Sequence, residues 1–248
     1  MRNFRAIPGW FSVLAAACLF TSAVALAAPE DGGAENGKQG APSELNADKV
    51  EYNMKTGQMT AEGNVVIRYD GGVATGAFAA YNTKTHTGEM TGGVVADKED
   101  MHLDCDHVEI LSQTKMAAIG NVHGRKADKR VEGPRVEYDS GEGYVCLPEG
   151  GMLSSADGTF TADYMEGWTK EERAKGVGNA HLVSPPKNFE GGGDEAEYFG
   201  KESGTIDLTG KAWAVKDNNT LKSGRLTVFL QEQKKTETVA NERGQEEQ

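Results

Sequence analysis

The chain has 248 residues and a formal net charge of −12; 38 % of its residues are hydrophobic, 7 % aromatic and 26 % charged, with 32 glycines and 7 prolines. That apolar share supports one sizeable core, which excludes both a disordered chain and a disulfide-stapled miniprotein. Glycines scattered without a three-residue period exclude collagen, and an acidic surface that repels phosphates excludes nucleic acid as a partner.

Residues 1–27 read as a secretory signal peptide. Arg2 and Arg5 supply the positive end, Phe11 to Leu26 is an almost unbroken apolar stretch, and Ala25-Leu26-Ala27 is a small-x-small cleavage site. Cleavage after Ala27 would export the chain to a periplasm and change its charge from −12 to −14, because both arginines leave. An uncleaved anchor is the alternative, but about 16 apolar residues are short for a span of roughly 20. A lipoprotein signal at Cys18 is a third reading; Ala15-Ala16-Ala17-Cys18 lacks the larger aliphatic residue such a site needs. Residues 28–43 are rich in glycine and acid and read as a flexible linker. The structured domain is predicted over 44–230, and 231–248 is a polar tail without period.

Within 44–230 the chain repeats. A small or acidic residue is followed by apolar residues two apart in Asp48-Lys49-Val50-Glu51-Tyr52 and again in Ala77-Phe78-Ala79-Ala80-Tyr81. The pattern returns around Val108, Val136, Met165, Ala196 and Leu226, at steps of 29, 29, 28, 29, 31 and 30 from position 50. Between these lie segments with an internal glycine, such as Ala61-Glu62-Gly63-Asn64-Val65 and Ile119-Gly120-Asn121-Val122. Each unit therefore supplies two strands. Val50 and Tyr52 share one face and Lys49 and Glu51 the other; Met59, Ala61, Val65 and Ile67 likewise oppose Thr60, Glu62, Asn64 and Arg68. One dry face and one wet face indicate an antiparallel sheet, and a glycine at one level of every unit indicates bends that curl it. Gly57, Gly71-Gly72, Gly88 and Gly141 are read as turns. Thr169 to Lys175 is the one stretch read as a helical turn.

These units resemble the OstA-like repeat of the lipopolysaccharide-transport proteins. The resemblance rests on Ala47-Asp48-Lys49-Val50-Glu51-Tyr52, on Gly57 through Val65, and on the Gly-Asn-Val elements at Gly120 and Gly178. It implies an all-β fold, a jellyroll of stacked antiparallel strands built from about seven repeats and open at its edges. It further implies an LptA-type periplasmic carrier of lipopolysaccharide that bridges inner and outer membranes. The implied partners are an LptC-type anchored protein and an LptD-type outer-membrane protein, met by edge-strand addition, together with head-to-tail self-association. Asp48–Tyr52 and Leu226–Leu230 are the docking edges this implies. The run Thr227-Val228-Phe229-Leu230 is apolar on both parities, like a strand covered on both faces.

An apolar trough suits such a cargo. Burying acyl carbons gives roughly 0.8 kcal/mol per CH₂, so a fully buried twelve-carbon chain would contribute on the order of 9 kcal/mol and leave slowly. Serial, partly shielding sites avoid that trap. The candidate groove residues are Val50, Tyr52, Met59, Val65, Ile67 and Tyr81, then Val108, Ile110, Val122, Val136, Tyr138 and Met165. The alternative is an OstA-like assembly module whose interior is filled and binds no lipid. No enzyme motif, cofactor fingerprint or metal site is read from the chain. In His102-x-Asp104-Cys105-Asp106-His107, strand alternation sends His102, Asp104 and Asp106 away from Cys105 and His107, so these ligand types do not converge. Cys105 and Cys146 could pair in an oxidising compartment or stay two buried thiols.

Overall fold

A computed structural model of the chain describes residues 43–69 and 71–230. The expected signal peptide, Cys18, nearly all of the linker and the tail at 231–248 lie outside the described residues.

The described chain is almost all strand. It begins with β1 Ser43–Asn46, β2 Lys49–Asn53, β3 Gln58–Tyr69, β4 Gly72–Asn82, β5 Thr87–Lys98, β6 Met101–Ile110, β7 Lys115–Lys126 and β8 Lys129–Asp139. It continues with β9 Tyr144–Leu147, β10 Gly151–Ser155, β11 Gly158–Ala162, β12 Tyr164–Trp168, β13 Arg173–Ser184, β14 Phe189–Phe199, β15 Thr205–Lys216 and β16 Asn219–Phe229. All pair antiparallel into one sheet that runs in chain order and does not close on itself. Three strands are interrupted midway: β1 and β2 both pair β3, β9 and β10 both pair β8, and β11 and β12 both pair β13. The remaining strands are continuous but bend at that same level.

The bend has a local cause. At its level, two consecutive residues of one strand take left-handed backbone, as at Gly63 and Asn64 (φ +73° and +47°), Gly120 and Asn121 (+75° and +47°), and Gly178 and Asn179 (+77° and +48°). The ladder register shifts there, between Glu62 and Val65 on β3 and between Ile119 and Val122 on β7. On the neighbouring strand stands the small or acidic residue that opens the repeat: an aspartate against Gly63, Gly120, Gly178 and Gly210, and Ala77 against Gly92. Asn64 Nδ2 donates to Asp48 Oδ2 at 2.9 Å, Asn121 to Asp106 at 3.0 Å and Asn179 to Asp163 at 2.7 Å. Asp194 accepts from Lys211 Nζ at 3.5 Å in the same way. The glycine is required twice over: only glycine tolerates that φ without cost, and a Cβ on Gly63 or Gly120 would collide with the carboxylate of Asp48 or Asp106. Pro134 holds the same level on β8, where the interrupted ladder asks for no N–H.

The bends fold the apolar face of the sheet over on itself. Residues from both arms of the bent strands, such as Val108 and Ala118 from one and Leu153 and Leu182 from the other, form one core cluster from β3 to β15. Where the chain departs from expectation, packing explains it. Thr169–Lys175 is not helical: a turn runs from Thr169 to Glu172 and β13 starts at Arg173. The one α-helix among the described residues is α1 Gly200–Ser203, capped by Gly204 in left-handed backbone. Gly88 is not a turn but lies in β5, where a Cβ would meet the Tyr81 ring at 2.9 Å. Phe229 is 51 % exposed, so among the described residues β16 is uncovered on one face rather than covered on both.

The bend makes a stability contrast testable. Gly120→Ala is expected to cost about 2–4 kcal/mol, part from left-handed backbone and part from displacing the Asp106 carboxylate. Gly71→Ala has a similar φ of +76° but open space around the new Cβ, and should cost only about 1 kcal/mol. Thermal unfolding followed by circular dichroism measures both; equal losses would show that the carboxylate contact contributes nothing.

Candidate functional site

The concave face is organised in rows that cross every strand. One row runs Val50, Ala61, Ala79, Met90, Val108, Ala118 and Val136 through successive ladder pairs. It continues on the next strands through Leu147, Met165, Gly176, Ala196, Leu208 and Leu226. A second row lies near the strand ends and carries the tyrosines. Tyr52 pairs Met59, which pairs Tyr81; farther on, Met116 pairs Tyr138, and Ala174 pairs Tyr198. A tyrosine suits that position because its ring packs against apolar neighbours while its hydroxyl reaches the wet rim. Tyr81 Oη lies 3.2 Å from His86 Nδ1 there. Beyond the bend, a third row passes from Ile67 through Ala74, Ala96 and Leu103 to Gly124 and Val131. It then reaches Leu153, Phe160 and Leu182.

All twelve candidate groove residues fall on this face. Val50, Val108, Val136 and Met165 belong to the first row, and Tyr52, Met59, Tyr81, Ile110 and Tyr138 to the tyrosine row. Ile67 stands on the opposing arm, and Val65 and Val122 flank the bend. They differ in access. Val65, Val108, Val122 and Met165 are fully packed, whereas Val50 is 47 % exposed because its strand has a neighbour on one side only. Tyr52, Met59 and Ile110 are half-buried.

At the N-terminal end of the described residues the arms stand apart. There an apolar slot opens between Met59, Ala61, Ala79 and Tyr81 on one wall and Leu45, Ile67, Ala74 and Ala96 on the other, and it reaches Val108 and Ile110 on β6. Small side chains make the gap: four alanines face one another across it. Its cavity volume is about 50 Å³, room for a few water-sized groups. The sequence marks Ala79 as the centre of a repeat but does not mark Leu45, Ala74 or Ala96. Alanine weakly marks burial, and which arm opposes which depends on the bend.

The convex face is wet and charged. A row of carboxylates crosses it: Glu89 pairs Glu109, Glu137 pairs Cys146, Cys146 pairs Glu166, and Glu197 pairs Asp207. Cations sit between them. Arg135 bridges Glu137 at 2.6 Å and Glu109 at 3.6 Å, Lys175 meets Glu195 at 3.3 Å, and Arg173 and Arg225 pair with Glu197 and Asp207. These pairs, all at least partly open to solvent, relieve like-charge repulsion between the carboxylates. An aromatic contact interrupts the charge: the Tyr144 and Trp168 rings lie 5.6 Å apart, tilted at 59°, and the Arg173 guanidinium sits 4.4 Å over Trp168.

One alternation expected from the sequence is corrected. The register shifts between Asp104 and His107, so parity resets on β6 and His107 joins His102 and Asp104 on the convex side. Cys105 stays inward, packed opposite Val94, and Asp106 spends its carboxylate on the bend.

Residues 75–234 match the family described as LptA/(LptD N-terminal domain) LPS transport protein, and the chain belongs to that family. A crystal structure of LptH from Pseudomonas aeruginosa, described as the LptA homologous periplasmic component of the conserved lipopolysaccharide transport device, is similar to it. The identity is 15 % and the TM-score 0.34, over 59 % of this chain and 96 % of that one. Among curated proteins none matches the chain.

Cys105 and Cys146 are both free, and the pairing left open by the sequence is not made. The reason is facing. Cys105 lies among the concave-face residues, while Cys146 pairs Glu137 and Glu166 in the convex row, so the sheet separates them. Burial pushes the Cys105 thiol up to about 11, and burial also raises that of Cys146. A raised pKa keeps each thiol protonated and unreactive at pH 8. Iodoacetamide at pH 8 is therefore expected to leave both unmodified in the folded protein and to label both after unfolding in guanidinium. Peptide mapping by mass spectrometry reads an added group on each of Cys105 and Cys146 in the second case; rapid labelling of either in the folded chain, or a disulfide joining the two, contradicts this arrangement.

Proposed function

We propose that this chain carries lipopolysaccharide by shielding its acyl chains between the two arms of the curled sheet, and that it bridges inner and outer membranes. The observation that supports this most is the slot at the N-terminal end, walled by Ala61, Ala79, Ala74 and Ala96 and continuous with the apolar rows behind it. Its present volume is too small for a whole acyl chain, so loading must spread the arms. A sheet that is not closed can do this by hinging at the glycine bends, without breaking its ladder. Phosphates and sugars would remain outside, since the carboxylate row offers no cradle for anions.

The free edges support the bridging part. Among the described residues β2 pairs only β3 and β16 pairs only β15, so each leaves a row of backbone groups without a partner strand there. A strand from an LptC-type or LptD-type partner, or from a second copy, can extend the sheet at either end by β-augmentation. The rows would then run on from one subunit to the next.

The assembly-module reading draws on a different observation, the filled interior beyond β8, where Leu147, Met165 and Leu182 are wholly buried. A benzophenone amino acid placed at Met59 or Ile110 separates the two readings in cells. The carrier reading expects lipopolysaccharide to be captured at both positions and not at the outward positions Glu62 and Glu109. Equal capture at all four, or none at Met59 and Ile110, removes it.

A further inference from the structure

The third row of the concave face changes size along the sheet. Ala74 and Ala96 leave room at the slot, and Gly124 stands opposite Val131. The row then meets Leu153, Phe160 and Leu182 in sequence. Phe160 is 2 % exposed and is the largest of the fully buried side chains. Its ring does not stay on its own arm. Phe160 pairs Leu182 beyond the bend, yet its Cζ lies where a Cβ on Gly176 would be only 2.6 Å away, and Gly176 belongs to the first row, before the bend. The missing side chain at Gly176 is the seat for the ring. One pair of strands further on, Leu208 of the first row reaches across in the same way, with Cδ1 3.1 Å from the Cβ position of Gly191 on the other arm.

We propose that Phe160, seated on Gly176, is a plug that divides the interior into an N-terminal compartment open to acyl chains and a C-terminal compartment closed to them until the ring swings out. This rests on the carrier reading and adds to it where the cargo stops. A chain lodged between Ala79 and Ala96 passes Leu103, Val131 and Leu153 of the third row before it reaches β11. There an aromatic ring joins the two arms, and further passage requires its displacement. Phenylalanine suits this role because one rotation about χ1 moves the whole ring, whereas the flanking leucines must repack together. Passage along the rows would then be stepwise, with a halt at mid-sheet, rather than continuous sliding.

Isosteric photoreactive residues test this without disturbing the core. The full chain is produced with photo-methionine and photo-leucine, incubated with purified lipopolysaccharide, irradiated, and the adducts mapped by mass spectrometry. In the native sequence adducts are expected at Leu45, Met59 and Met90, with background yield at Met165 and Leu208. Phe160→Ala should raise the yield at Met165 and Leu208 to that at Met59. Phe160→Leu, which preserves more of the packing, should raise it part of the way, with circular dichroism confirming that each variant is folded. Adducts on both sides of Phe160 in the native sequence overturn the plug. So do folded variants that load the slot yet leave Met165 and Leu208 bare. Folded protein with no adduct at Leu45, Met59 or Met90 overturns the carrier reading itself.

Discussion

The architecture depends on one backbone event repeated at one level: a glycine and its successor in left-handed conformation, facing an acidic residue on the next strand. Without it, strands of eleven or twelve residues with alternating polarity would form an open twisted sheet, one apolar face bare to water. With it, each strand folds over and the same face becomes concave. The Asp48–Asn64, Asp106–Asn121 and Asp163–Asn179 hydrogen bonds lock the event from the side, so the bends stay in line. Alignment matters because the rows of apolar side chains are continuous only if every strand bends at the same place.

Once the face is concave, side-chain size decides what the interior can be. Opposed alanines leave the arms apart near β3 to β5; leucine, methionine and phenylalanine join them from β9 onward. One fold thus holds a slot and a packed core in series. In the proposed carrier this gradient has a use: partial shielding keeps the slot from becoming a deep trap, and the packed part holds the roll together while the slot opens. The charge distribution fits the same division, because carboxylates and their cations are confined to the convex face, where water screens them.

Much of this was legible in the sequence. The period near 29 residues places Val50, Val108, Val136 and Met165 on a shared face, because alternation along a strand and recurrence between strands are both local rules. The Asp and Gly-Asn elements were visible as motifs, although their hydrogen bonds to one another were not. What stayed hidden depended on geometry across the bend. Simple alternation puts His107 on the wrong face because a register shift resets parity, and Gly88 reads as a turn because its packing against Tyr81 involves the neighbouring strand. Ala74 and Ala96 look like any other small residues until the arm they oppose is known. Phe229 was expected to be covered because it is apolar, but it lies on the last strand, where nothing in the described chain packs over it.

The most direct measurement is the separation of the two arms with and without cargo. Spin labels at Glu51→Cys and Arg68→Cys, both outward-facing and on opposite arms of the N-terminal end, report it by pulsed electron paramagnetic resonance in a chain with Cys18→Ser, where buried Cys105 and Cys146 stay unlabelled. A groove that opens at its bends to admit acyl chains requires the distance to lengthen when lipopolysaccharide is added, and to return when it is removed. A distance that stays the same at saturating lipopolysaccharide contradicts it, and leaves the curled sheet as a scaffold with a filled interior.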